Sequence, residues 1–495
     1  MSRFFKYKSL ESLVAAARAA GWDEPIVADP ARLLEPTVVG SRTVGNRLCI
    51  QPMEGCDGEL DGSPGPLTLR RYQRFGAGGA KLIWGEAAAV VPEGRANPRQ
   101  LVINAHTADA LGRLLETCRA AHQDAFGSTD DLLVGIQLTH SGRYSHPRPH
   151  LVQHDPLLDR RTIVDRATGQ RADASTPLLS DDDLKRLQDH YVAAARIAAR
   201  LGFDFIDLKQ CHRYLLNELL AARTRPGPFG GSFENRTRFA REVFERIGSE
   251  CPGLIRATRL NLFDGLPFAP GPDGTAHAET APGAWAATWG TAAHDPMTPD
   301  LTEPLAYLGI LRGLGVSLVN ASLGNPYASP HLLRPFEYPP PDGYETPEHP
   351  LEGVRRHLRL TAMVQHAYPD LPIVGSGYSW LQAYALHVGA ASVVAGRTTF
   401  VGLGRAALAQ PDFGCRLIQG LALDPRRVCR TFSYCTALMR SKHNEMGQFP
   451  TGCPPFDKET YGPIWDQARR QSPELRLGKT PTPATSSPAN PPTHP

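Results

Sequence analysis

The stretch "FDFIDLKQCHRYLLNELL" begins at Phe203 as an apolar run and turns polar at Lys209. Lys209, Cys211, His212 and Tyr214 then follow in quick succession. An ammonium, an imidazole and a phenol just beyond a buried strand are donors that can stabilise negative charge developing on a substrate oxygen, and the phenol can also deliver a proton. Gln137 and Arg259 end two other apolar runs in the same way. "GSGYS" (Gly375 to Ser379) and "GR" (Gly396, Arg397) follow two more. Glycines there, Gly377 and Gly396 among them, let backbone N–H groups approach an anion, and Arg397 adds a charged fork. A phosphate at one end, with Gln137 and Arg259 across from it, suits a flat polar ring with a phosphate tail.

Something must hold these residues at one rim. Apolar, β-branched runs recur as "RLCIQP" from Arg47, "AKLIWGEA" from Ala80, "LLVGIQL" from Leu132 and "FDFIDLK" from Phe203. "LIRATRL" from Leu254, "GVSLVNA" from Gly315, "LPIVGS" from Leu371 and "ASVVAG" from Ala391 complete the series. Amphipathic stretches separate most of them, such as "LSDDDLKRLQDHYVAAARIAARLG" from Leu179, with Ser180 as cap and Asp183 answering it. Such alternation predicts a parallel sheet covered on both faces, closed as a (β/α)8 TIM barrel in the α/β class. Long insertions at 143–178 and 264–300 leave the third and fifth strands at their C-terminal ends, where lids or walls are expected. The expected organisation is an N-terminal helical extension (1–40), the barrel (41–413), a cysteine-containing C-terminal segment packed on it (414–477) and a disordered tail (478–495).

A net charge of only +3 without a long basic run argues against nucleic acid. The start, "MSRFFKYKSLESLVAAARAAGWDEP", lacks the apolar core of a signal peptide, and no stretch is apolar enough to cross a bilayer. With nine cysteines, an odd number, the expectation is a reduced cytoplasmic chain that partners small molecules and not membranes. A homo-oligomer is compatible with this reading.

In order, "NRLCIQPM" (Asn46–Met53), "GIQLTHSGR" (Gly135–Arg143), "GFDFIDLKQCHRYLLNELL" (Gly202–Leu220), "FGGSFENRTRF" (Phe229–Phe239), "PIVGSGYS" and "VVAGRTTF" resemble the old yellow enzyme family of FMN-dependent NADH:flavin oxidoreductases and ene-reductases. The resemblance runs from about Asn46 to Asp412. It implies non-covalent FMN, with main-chain groups around Pro52 and Met53 beneath the ring and Ala87 beside it. Gln137 would bind the pyrimidine, Arg259 the N1/C2 carbonyl edge, and Gly377, Gly396 and Arg397 the phosphate. Lys209 and His212 would bind the electron-withdrawing oxygen of the substrate. NAD(P)H would be the reductant, with hydride passing from flavin N5 to an activated C=C bond and Tyr214 delivering the proton.

Two residues depart from the family pattern. Lys209 replaces the usual histidine, which shifts the preferred acceptor toward carboxylates or diverts the ammonium into a salt bridge. Glu54 stands where threonine or cysteine usually touches the flavin, and the two are expected to face and partly neutralise one another. No metal is expected. Cys429, Cys435 and Cys453 lack the short C-x₂-C step of an iron–sulfur site, and His140, His146, His150 and His154 fit no compact zinc spacing. Two other readings remain open. One is an FMN-dependent amine dehydrogenase or demethylase, which would want an aromatic cage from Trp285, Trp289 or Tyr327. The other is a redox-inactive ligand-binding barrel, which retention of Gln137, Arg259 and Arg397 disfavours.

Overall fold

The computed structural model describes residues 3–472 except 296, 341, 342, 445 and 446, so the tail expected from 478 lies outside the described residues. Eight parallel strands close into a barrel. They are β1 (Leu48–Ile50), β2 (Leu82–Ala89), β3 (Leu133–Thr139), β4 (Phe205–Gln210), β5 (Ile255–Phe263), β6 (Val316–Leu323), β7 (Ile373–Gly375) and β8 (Phe400–Leu403). Each pairs with the next, and β8 closes on β1 through Val401 opposite Leu48.

Seven strands coincide with the apolar runs, and the eighth does not. "ASVVAG" falls at the end of a helix, Ala385–Val394, and the strand is the later "FVGL". The helix is apolar over nearly its whole length, which hides its 3.6-residue period and leaves a β-branched run that mimics a buried strand. Gly396 and Arg397 therefore enter the barrel before β8 instead of leaving it. They sit on the N-terminal side, and Arg397 faces Glu24 at 4.0 Å.

That N-terminal end is plugged. A hairpin (Thr37–Val39 with Arg42–Val44), spanning the expected boundary at residue 40, packs Val39 and Val44 against Leu82, Leu133, Phe205 and Phe400 inside the barrel. Only the C-terminal end is left for a ligand. The helix Asp181–Leu201 is capped as expected, Ser180 Oγ accepting from Asp183 N at 3.1 Å. Ser232 caps Phe233–Glu250 in the same manner.

The first insertion lines the C-terminal end, and the second packs on the first. Arg143 pins the first, donating to Asp159 Oδ1 and Glu218 Oε1 at 2.6 Å each and to Gln153 O at 3.0 Å. Arg161 of the first insertion is ion-paired with Glu279 of the second. The C-terminal segment joins them through the helix Tyr434–Arg440, and Thr451 N donates to Gly55 O at 2.7 Å in the loop after β1. Because Arg143 and Glu218 are both fully buried, Glu218→Ala leaves the guanidinium with Asp159 as its remaining carboxylate partner. It is expected to cost about 1–3 kcal/mol in chemical denaturation. A loss under about 1 kcal/mol would mean that Asp159 alone suffices.

Candidate active site

A cavity of about 610 Å³ opens at the C-terminal end, within the range of small-molecule sites. Pro52, Met53, Glu54, Ala87 and Gln137 line it from β1 to β3. Lys209, His212, Tyr214, Arg259 and Gly377 complete the wall from β4 to β7. Gly396 and Arg397 are absent from the lining. Their place beyond β8 is taken by Gly404 and Arg405, a further "GR" shortly after Gly396–Arg397.

The floor is organised by Asp207, inside β4 and fully buried. It accepts from Gln137 Nε2 at 2.6 Å, Trp84 Nε1 at 2.7 Å and the main-chain N–H of Arg259 at 2.6 Å. This one carboxylate sets both the Gln137 amide and the backbone that carries Arg259. Gln51 is fixed likewise, receiving from Asn320 at 2.7 Å and donating to Ser376 Oγ at 3.0 Å. The loop bearing Met53 and Glu54 rests on a buried network. Glu86 accepts from Gly55 N at 3.0 Å and from Arg71 at 2.7 Å, and Arg71 forks onto Asp57 at 2.6 and 3.0 Å.

Two guanidiniums face the cavity without acids. Arg259 and Arg405 are each 8% exposed, and neither has a carboxylate within ion-pair distance among the described residues. Arg259 Nε and Arg405 Nη1 have no hydrogen-bond acceptor, although Arg405 Nη2 donates to Pro335 O at 2.8 Å. Buried charge left this way signals a missing anion.

His212 and its neighbour Arg213 both have positive φ, 67° and 60°, which turns the imidazole inward. Burial holds the ring well below its ordinary pKa, with Arg259, Lys209 and Arg334 adding to the effect, so it is neutral at physiological pH. Its Nε2 lies 3.1 Å from Ser322 Oγ. Lys209 Nζ stands 3.8 Å above the Tyr214 ring. Tyr214 and Tyr327 join hydroxyls at 3.0 Å, Tyr144 stacks on Tyr327 at 4.1 Å, and Arg440 covers Tyr327 at 4.3 Å. Trp289 is buried, its Nε1 bonded to Asn261 O at 2.9 Å, and Trp285 lies outside the cavity beneath Arg223.

Burial pushes the Glu54 carboxyl up to about 7, against the pull of Lys209. The two act on each other without an ion pair, and Glu54 is hydrogen-bonded by Asn97 Nδ2. Between the unfolded value of about 4.3 and 7, the native state keeps a proton that the unfolded chain has lost. Stability from this group is therefore present at low pH and lost as pH rises through that window. Glu54→Gln is expected to leave Tm unchanged at pH 4 and raise it progressively toward pH 8. A pH-independent difference would mean an unperturbed carboxyl.

Among the described residues no group of three or more His, Cys, Asp or Glu side chains is disposed to hold a metal, and the nine cysteines are free. His140 accepts from Gly142 N at 3.0 Å and supports the loop.

A model of the NADH:flavin oxidoreductase / NADH oxidase family matches residues 32–281, half of the chain. The chain belongs to this family. An NADPH dehydrogenase of Halalkalibacterium halodurans is 31% identical over 241 residues, 47% of this chain and 65% of that relative, so the match falls just short of two thirds of its length. In fold, this NADH:flavin oxidoreductase family member resembles a 2-naphthoyl-CoA reductase complex with a TM-score of 0.63 at 16% identity, covering 88% of this chain and 58% of the other. It also resembles an old yellow enzyme homologue from Zymomonas mobilis, with a TM-score of 0.57 at 19% identity over 79% and 94% of the two chains. No helix among the described residues of the family member is long and apolar enough to cross a membrane.

The sequence reading of this family member missed Asp207, Gln51, Tyr144, Arg405 and Arg440. Asp207 carried a signal, an acid inside the apolar run "FDFIDLK". Arg405 carried another, a "GR" that repeats a few residues after Gly396–Arg397. Tyr144 and Arg440 reach the cavity from an insertion and from the C-terminal segment, which strand-end reasoning does not search.

Proposed function

We propose that the protein is an FMN-dependent oxidoreductase that reduces activated C=C bonds with NAD(P)H. The observation that carries this reading is the pair of buried, acid-free guanidiniums, Arg259 and Arg405, lining the same cavity as Lys209 and His212. A phosphate monoester fits Arg405 beside Ser376, Gly377 and Gly404, and the electron-rich edge of a flavin fits Arg259 and Gln137. When bound, FMN supplies two-electron chemistry between reduced nicotinamide and substrate. Overall, NAD(P)H and one proton convert the C=C bond to a saturated bond and give NAD(P)+.

Lys209 and His212 bind the substrate's carbonyl oxygen and stabilise the negative charge that gathers there, at roughly 3 kcal/mol per preorganised donor. Neutral His212 donates one N–H, and the Lys209 ammonium adds charge. Tyr214 holds a proton at its phenolic oxygen for the α-carbon. Burial raises its pKa well above the ordinary tyrosine value, so it stays protonated, and Tyr327 offers a second hydroxyl for reprotonation. Arg143 holds the first insertion over the site and limits water.

The amine reading loses its receptor. Lys209 and Arg440 already stand over the faces of Tyr214 and Tyr327, so an alkylammonium would meet two resident cations. The test is direct. Purified protein should be yellow, release FMN on denaturation, bleach anaerobically with NADPH and recolour with 2-cyclohexenone but not with an alkylamine. Colourless protein that cannot be reconstituted with FMN would end the proposal.

A further inference from the structure

Lys209 is 5% exposed and lines the cavity. Among the described residues its ammonium has neither a hydrogen bond nor an ion pair, and its one close contact is the Tyr214 ring at 3.8 Å. A cation–π contact is a weak substitute for the hydrogen bonds an ammonium makes in water. Burial lowers the Lys209 pKa against the pull of Cys211 and Glu54, and an anion bound beside it would favour the charged form. Three N–H donors thus face the cavity without acceptors, in a chain that satisfies most of its other buried charges.

The surrounding charge points the same way. Among the described residues the only carboxylate lining the cavity is Glu54, which lies beyond ion-pair distance of Lys209, is bonded by Asn97 and is shifted toward its neutral form. Lys209, Arg259 and Arg405 line the same cavity. On the reading above, the cofactor's phosphate and ring edge account for Arg405 and Arg259. Lys209 remains after both.

We propose that the physiological substrate is an acid, with a carboxylate on or beside its activated C=C bond that pairs with Lys209. A neutral enone would still find two donors but would leave the ammonium's charge uncompensated. A conjugated carboxylate matches the charge and leaves His212 to bind its second oxygen. This rests on the cavity being the reduction site, as proposed above, and adds the class of compound reduced.

Equilibrium binding tests it without turnover. Purified, cofactor-loaded protein would be titrated calorimetrically with trans-cinnamate and with cinnamamide, which have nearly the same shape and differ in charge. Cinnamate is expected to bind at least about tenfold more tightly, the low end for a charge-assisted contact. Lys209→Met should bring the two within about twofold, since the charge is removed and the stem retained. If that variant does not fold, Lys209→Gln reads the same difference. Equal affinities in the unaltered protein, tighter binding of the amide, or a cinnamate preference that survives loss of the ammonium would each overturn the proposal. Any of these would leave enone reduction standing, because bleaching and recolouring report that separately.

Discussion

Replacing His212 by alanine is expected to slow reduction of 2-cyclohexenone by about 100-fold while FMN content stays unchanged. The ring is held neutral by burial and by Arg259, Lys209 and Arg334, so it contributes one preorganised N–H and no charge. Loss of one such donor from a site that excludes water costs roughly 3 kcal/mol at the transition state and much less in the ground state. The fall should therefore appear in kcat more than in KM. His212→Asn is the informative partner. Asparagine tolerates the 67° φ better than alanine and keeps an N–H, so it should recover a large part of the rate. Flavin absorbance and turnover measured on the same samples separate the outcomes. Unchanged turnover removes His212 from the site, and flavin loss makes it a structural residue.

Arg405→Ala should weaken FMN binding by about 100-fold or more, the sum expected for two charge-assisted hydrogen bonds to one phosphate. Arg397→Ala should change it by less than about twofold. Arg405 sits just past β8 at the open end of the barrel, with Nη1 lacking an acceptor. Arg397 sits before the same strand, on the plugged side near Glu24. Quenching of FMN fluorescence by apoprotein gives both dissociation constants. Equal losses in the two variants would mean that the phosphate does not bind beyond β8.

This contrast also marks where sequence reading works on such a chain. Strands such as "LLVGIQL" and "GVSLVNA" are legible because short continuous apolar runs between amphipathic helices admit little else. Lys209, His212, Gln137 and Arg259 were found because each ends or follows such a run, so their convergence came with the topology. Where a helix was as apolar as a strand, over Ala385–Val394, the eighth element slipped, and Gly396 and Arg397 were carried to the opposite end. The side chains that complete the wall, Tyr144 and Arg440, come from segments with no periodic signature. Trp285 and Trp289 show the converse. They are conspicuous in the sequence, yet one is sealed in the core and the other lies outside the cavity.

The helix Tyr434–Arg440 brings Thr436, Met439 and Arg440 to the cavity from outside the eightfold repeat. A wall supplied this way can drift in sequence without disturbing any ladder of strand pairing. Substitutions at the half-buried Met439 and Arg440 should therefore yield variants that differ in which compounds they accept while melting at nearly the same temperature. Thr436, by contrast, is buried and accepts from Arg334 Nη1 at 2.9 Å, so its loss should lower the melting temperature. Part of the cavity wall is thus carried on a stretch of chain separate from the one that holds Lys209 and His212.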